Sequence, residues 1–256
     1  MFNATYFNYD GQWSGTYGLK IVDFDDSNVK ETDAFSPTPS LQKVHGSPRF
    51  FYSGVEYDTA PTCEFSVVSE QELTGTTRGK IMSWLIGRKE FKPLTFDSED
   101  TLGFTYWCIF ISVKTIWVNG RCYGFRLTAQ FDSPFARGKA TSAIVNVGTH
   151  QVALRNSSDI IDNYVYPIVE FTGGSVDIVN LTDDEDRHFT FAGLTADEIV
   201  TVDNETRYIS STVSGEKLSN FISKNWLRLR PGNNLLQIEA SGQVKITCPY
   251  YALIGY

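Results

Sequence analysis

The sequence is most informative at first through what it lacks. Histidine occurs only three times, as His45, His150 and His188. No two of them are spaced i, i+4, so a helical H-E-x-x-H zinc site is absent. No G-x-S-x-G nucleophile elbow occurs either. The four cysteines, Cys63, Cys108, Cys122 and Cys248, include no C-x-x-C pair. That spacing suits neither a zinc knuckle nor the disulfide frame of a small secreted domain. No apolar run is long enough to span a bilayer, and the opening MFNATYFNYDG has neither a basic nor an apolar segment. It therefore reads as no signal peptide and no membrane anchor. There is no long basic tract, and the net charge is −8. Nucleic-acid binding through phosphate contacts rests on Lys and Arg, so it is excluded as the main activity.

Aromatic residues are abundant: 18 Phe, 13 Tyr and 5 Trp. With β-branched residues they fit a pleated, half-buried surface, so sheet is expected to dominate. The C-terminal stretch shows the grammar most clearly. Leu227 and Leu229 alternate with Arg228 and Arg230, Leu236 and Ile238 with Gln237 and Glu239, and Val244, Ile246 and Cys248 follow. A period of two places each apolar set on one strand face, and the Pro-Gly-Asn-Asn and Ser-Gly breaks mark turns. Three antiparallel strands with one wet face are expected here.

Earlier in the chain, Glu31 to Pro48 is rich in Pro, Ser and Thr and reads as a long loop. One helix is expected after Thr74, Thr76 and Thr77 as cap candidates, with Ile81, Trp84 and Leu85 on one face and Gly87 as its stop. The strand Phe91 to Phe96 contains Pro93, which suggests a sheet edge. A long hairpin follows around Asn119-Gly120, a two-residue turn signal. That turn sets Cys122 opposite Trp117 and Cys108 opposite Phe131, so no bridge joins the two cysteines, and free buried thiols are expected. The first arm is apolar on both faces, with Trp107, Ile109, Ile111 and Val113 on one and Cys108, Phe110 and Ile116 on the other. A strand of that kind is covered on both sides, inside a barrel or by another subunit. From about Val145 only short strands follow, at the spacing of a β-sandwich. The boundary is placed near Arg137 to Ser142.

Several tempting motifs have plainer readings. The glycine pair in FTGGS, Phe171 to Ser175, opens no helix and reads as a hairpin turn rather than a phosphate loop. The acidic run Thr182 to Arg187 lacks the D-x-D-x-D-G grammar of a calcium loop and reads as a solvated connection. Trp226 either stacks on a sugar or packs at a sheet edge or subunit contact, the latter being the plainer role. Sequons at Asn3, Asn156, Asn180 and Asn204 are read as chance.

The order of the features along the chain carries a resemblance. NYDGQWSGTYGLKI, SWLIGRKEFKPLTFDSED, YGFRLTAQFDSPFA, FTFAGLTADEIVTVDNETRYI and WLRLRPGNNLLQIEASGQVKI together resemble the distal tail protein (Dit) family of long-tailed, non-contractile bacteriophages. The resemblance implies a mainly β chain, with a split-barrel-like α+β domain with one helix over residues 1–138 and a galectin-like β-sandwich over residues 139–256. It implies a homo-hexameric ring at the virion tail tip, joining the tail tube protein to the tail-associated fibre or lysin protein and to receptor-binding proteins. Such a protein is made in the host cytoplasm, has no catalytic residues, cofactor or metal, and lets DNA pass without binding it. The doubly apolar arm then supplies candidate interface residues Trp107, Ile109, Ile111 and Val113. The acidic stretches Asp23 to Asp26 and Asp97 to Asp100 are candidates to flank the opening. The alternative function is a lectin-like adhesin that binds host cell-wall saccharide.

Overall fold

The computed structural model describes residues 4–24, 38–43, 45–46, 48–56, 60–160, 163–213, 215 and 217–253. They divide into two compact units, meeting in sequence between Ala136 and Arg137. The first contains β1 (Phe7–Tyr9), β2 (Gln12–Trp13), β3 (Leu19–Val22), β4 (Thr38–Lys43), β5 (Phe50–Glu56), β6 (Thr62–Ser69), the helix α1 (Gly75–Leu85), β7 (Lys92–Phe96), β8 (Tyr106–Val118) and β9 (Arg121–Phe131). Seven of these strands form one antiparallel sheet in the order β2-β1-β7-β8-β9-β6-β3. The Ile21 N–H donates to the Thr5 carbonyl at 2.9 Å, tying β3 back to the segment before β1. The sheet therefore curls towards closure as a split barrel.

Local chemistry sets the helix that plugs it. The Thr74 hydroxyl accepts from the Thr77 N–H at 3.2 Å, and Gly87, at φ 85°, ends the helical path. Ile81, Trp84 and Leu85 are buried. Trp84 stacks on Phe7 with centroids 5.6 Å apart, and its Nε1 donates to the Tyr9 carbonyl at 2.9 Å. Phe7, Tyr9, Phe65, Phe96, Tyr106 and Phe110 continue this aromatic interior through edge-to-face contacts. Each such pair adds about 0.5–1.5 kcal/mol beyond area burial.

The β8–β9 hairpin turns on Asn119 and Gly120, both at positive φ, and pairs Trp117 with Cys122 and Cys108 with Phe131 as the sequence requires. Gly124 is needed in β9 because a Cβ there would stand 2.0 Å from the Val67 carbonyl oxygen. All four cysteines are free. Two expectations fail in this unit. β4 occupies part of the stretch read as a loop; residues 31–37 of that stretch lie outside the described residues. β7 is internal, between β1 and β8, despite Pro93. Pro93 tolerates this because its carbonyl accepts from Asp10 N–H at the β1–β2 turn. A strand residue's nitrogen points to the same side as its carbonyl, so the missing donor costs β8 nothing.

The second unit is a sandwich of β10 (Ala136–Val145), β11 (Gly148–Asn156), β12 (Ile168–Thr172), β13 (Val176–Asn180), β14 (His188–Phe191), β15 (Ile199–Asp203), β16 (Tyr208–Ser211), β17 (Gly232–Ala240) and β18 (Val244–Ala252). One sheet runs β10-β18-β12-β15-β16 and the other β11-β17-β13-β14. The segment read as a boundary is therefore strand β10. Phe171 of one sheet meets Phe191 of the other at 5.3 Å, and Phe191 stacks on Phe221 at 4.7 Å.

FTGGS is not a hairpin turn. It carries the chain from β12 in one sheet to β13 in the other, and Ser241-Gly242 makes the reverse crossing from β17 to β18. The two crossings touch: Ser175 N–H donates to Ser241 Oγ at 2.8 Å, and a Cβ on Gly242 would meet the Thr172 carbonyl oxygen at 2.1 Å. The run Leu227 to Arg230 is not a strand beyond one bridge between Leu229 and Val165. Asparagine side chains replace its ladder. Leu227 N–H donates to Asn204 Oδ1, Arg228 carbonyl accepts from Asn180 Nδ2, and Arg230 bonds through both backbone groups to Asn234.

Candidate subunit interface

Across an antiparallel ladder, paired residues share a face, so the register of β8 and β9 sorts the first arm. Phe110, Ala129 and Cys63 form one inward row. Trp107 with Pro93, and Ile109 with Gln130, form rows on the outer face. Ile111 is then an extra residue: Phe110 pairs with Ala129, but Ser112 already pairs with Thr128. This bulge reverses the alternation. Val113 pairs with Leu127 and packs against the core cluster, so it does not share a face with Trp107, Ile109 and Ile111. A second bulge at Tyr123 restores the register before the turn. Of the four residues selected from sequence, three thus remain on the outer face. Trp107 and Ile109 are half-buried there and Ile111 is 52% exposed.

The same face continues through Ser112, Thr128 and Glu64 to a rim where Phe24, Lys114, Ile116 and Arg126 border a hollow of about 340 Å³. Arg126 and Glu64 lie 3.5 Å apart on it, both half-exposed, a pairing worth little in water. Asp97 has a structural role as well, because it accepts from the Thr5 and Tyr6 N–H groups at 2.7 and 2.8 Å. Asp25 and Asp26 lie outside the described residues.

The remaining candidates resolve into structural roles. Trp226 stands edge-on to Phe221 at 4.9 Å. In the acidic run, Asp183 is bound by Arg228 Nε at 2.7 Å and the Tyr164 hydroxyl at 3.0 Å, so the loop is pinned rather than merely solvated. His188 Nδ1 lies 2.7 Å from Asp177, whose other oxygen accepts from Thr190 at 2.6 Å. Among the described residues, no group of three His, Cys, Asp or Glu is arranged to hold a metal. Burial pushes the thiols of Cys63 and Cys248 up to about 11, and that of Cys108 higher. These thiols remain protonated and unreactive at neutral pH. Asn156, Asn180 and Asn204 are buried and hydrogen-bonded, which disposes of three sequons as acceptors.

One apolar feature was not among the candidates chosen from the sequence. Among the described residues β4 and β5 pair with each other, as a separate two-stranded ribbon. Its Leu41, Phe50, Phe51 and Tyr52 are between 53% and 64% exposed. The signal was present as three consecutive aromatics in RFFYSG, since adjacent strand residues point to opposite faces. Consecutive aromatics make both faces of a strand apolar.

No curated protein matches the chain in sequence. Two family models do: a phage tail protein N-terminal domain over residues 2–133 and a phage tail C-terminal domain over residues 139–248. Among solved structures, the Dit protein (gp 19.1) of phage SPP1, described as a paradigm of the hub adsorption apparatus in phages infecting Gram-positive hosts, superposes with a TM-score of 0.67 at 16% identity. That match covers 96% of this chain and 98% of the other. A chain of the phage P2 baseplate in its activated, calcium-bound conformation superposes with a TM-score of 0.54 at 9% identity, covering 93% and 92%. The chain belongs to the family of phage tail proteins that these two domains define, and its two units carry the Dit fold.

Proposed function

We infer that the protein is the hub of a long, non-contractile tail tip, in which six copies of the first unit close a ring. The ring joins the tail tube protein to the tail-associated fibre or lysin protein, and the sandwiches offer attachment for host-recognition parts. The observation that supports this most is the outer sheet face of Trp107, Ile109 and Ile111. The fold does not require that face to be apolar, because α1 and the aromatic core already cover the other side of the sheet. A heterologous contact that closes by rotation gives a ring, whereas one that does not close gives fibres.

The role is structural. No side-chain constellation described above is suited to catalysis, and DNA passing through the ring needs no phosphate contacts. Mass measurement in solution combined with negative-stain imaging tests the reading. A hexamer, or two hexamers stacked, is expected. Monomers alone at tens of micromolar, without rings on the grid, overturn it. Trp226, the residue weighed for sugar stacking, packs edge-to-face with Phe221 at 4.9 Å, which favours the plainer packing role.

A further inference from the structure

We propose that Asn119 is a site of spontaneous covalent modification, where the folded protein loses ammonia and the residue becomes aspartate or isoaspartate. The inference does not depend on the ring reading. The reaction is attack by the Gly120 backbone nitrogen on the Asn119 side-chain carbonyl carbon. The new C–N bond closes a succinimide ring. The Gly120 N–H proton passes through solvent to the carboxamide nitrogen, which departs as ammonia. Water then opens the ring at either carbonyl. Cleavage at the side-chain carbonyl gives aspartate, and cleavage at the backbone carbonyl gives isoaspartate.

Asn119 is the one asparagine in the sequence that precedes glycine. With no Cβ, Gly120 leaves its nitrogen open to approach, and a Cβ built there would meet nothing within 4 Å. Asn119 is exposed, and among the described residues nothing holds its carboxamide. Val118 pairs with Arg121, so the two turn residues lie outside the ladder. Asn119 sits at φ 49°, a conformation that a residue with a side chain seldom keeps. Local opening costs least at such tips.

A second turn supplies the contrast. Asp10-Gly11 is the one Asp-Gly step, closed by the Tyr9–Gln12 pair, with φ 53° and 81° against 49° and 78° at Asn119-Gly120. Aspartate can reach the same succinimide by losing water. Here, however, the Asp10 carboxylate lies 3.1 Å from Arg88, and its N–H donates to the Pro93 carbonyl at 3.0 Å. Asn156, which precedes Ser157, is buried; its Nδ2 donates to the Arg230 carbonyl and its Oδ1 accepts from the Ser158 N–H. Two of the three steps are tied down, and Asn119 is not.

The test holds the full-length protein at mildly alkaline pH and maps its peptides by mass spectrometry over time. The peptide with Asn119 should gain about one dalton. Its rate should exceed that of any other asparagine by about tenfold or more, because buried positions open at far greater cost. An isoaspartyl methyltransferase with labelled S-adenosylmethionine should methylate the same peptide. Asn119→Gly retains a two-residue turn of the same type and should abolish both signals. Arg88→Met releases Asp10 and should create a methyl-accepting peptide there without a change of mass. An Asn119 that stays intact in the folded protein, while its peptide converts after unfolding in urea, overturns the proposal. Conversion spread evenly over the exposed asparagines does the same. Equal methylation at Asp10 and Asn119 in the wild type, or none at Asp10 in Arg88→Met, overturns the protective role of Arg88.

Discussion

The two units solve the problem of burying a sheet in opposite ways. The barrel has an aromatic, fully buried interior and an outer face that is apolar where β8 crosses it. In the sandwich, β17 alternates strictly: Leu236, Ile238 and Ala240 are buried and Leu235, Gln237 and Glu239 are exposed. Its interior also contains a polar network of Asn156, Asn180, Asn204 and Asn234 that satisfies backbone groups no strand reaches. The sandwich thus holds an irregular stretch of backbone with its own amide side chains, whereas the barrel is filled by aromatic rings. That difference is in keeping with the proposed ring-forming role of the first unit.

Emptying the barrel's aromatic interior should have the greatest effect. Trp84→Ala removes the stack on Phe7 and the bond to the Tyr9 carbonyl, and should cost about 4 kcal/mol by transfer plus cavity terms. Urea denaturation should show the barrel's transition displaced or absent. A change below about 1 kcal/mol would mean that the helix is not what fills the barrel.

In the sandwich the equivalent weak point is polar. Asn234 bonds to both backbone groups of Arg230, to the Gly232 carbonyl and to Asn180. Asn234→Ala leaves several of these groups buried without partners and should cost about 3 kcal/mol. If the loss is only a few tenths, the irregular run from Leu227 to Arg230 is held by burial of its leucines instead.

A third experiment uses pH. Glu198 is buried and accepts from Lys217 at 2.7 Å and Ser211 at 2.5 Å, with Thr195 adding further bonds. The Lys217 and Ser211 hydrogen bonds hold its pKa down to about 2, against an ordinary 4.5. A carboxyl depressed in the folded state contributes stability above pH 4.5 and loses it as pH falls through about 2. The melting temperature of the sandwich should decline across that window, and Glu198→Gln should flatten the decline while lowering stability at pH 7. An unchanged slope in the variant would assign the acid sensitivity to another group.

These tests also mark what the residues disclosed in advance. The helix was legible because its cap, its apolar spacing and Gly87 all act locally. The β8–β9 register was legible at both ends because Asn-Gly admits one tight turn. The bulge between them was not, because a single unpaired residue leaves composition and hydropathy unchanged while reversing every face beyond it. Alternation also misread Leu227 to Arg230, since period two reports which side chains are buried and not what binds the backbone. Nor did it reveal that FTGGS changes sheet, because a turn and a crossing can use the same glycines. Strand β4 was hidden by the Pro, Ser and Thr around it.

The bulge in β8 predicts opposite behaviour for two neighbouring side chains. Ile111 and Val113 are two residues apart on one strand and would share a face in an unbroken ladder. The bulge separates them, with Ile111 outward and Val113 against the core. Val113→Ala should therefore destabilise the barrel by about 1–2 kcal/mol, as a lost buried methyl pair does. Ile111→Ser should stay within about 0.5 kcal/mol of the wild type in the monomer, since an exposed side chain gives up little on unfolding. Assembly should show the reverse order. Ile111→Ser should weaken the oligomer at matched protein concentration, whereas Val113→Ala should leave its mass unchanged so long as the barrel is folded. Equal stability losses in the two variants would mean that the ladder runs unbroken through Ile111. Equal assembly losses would mean that the contact lies elsewhere than the outer face.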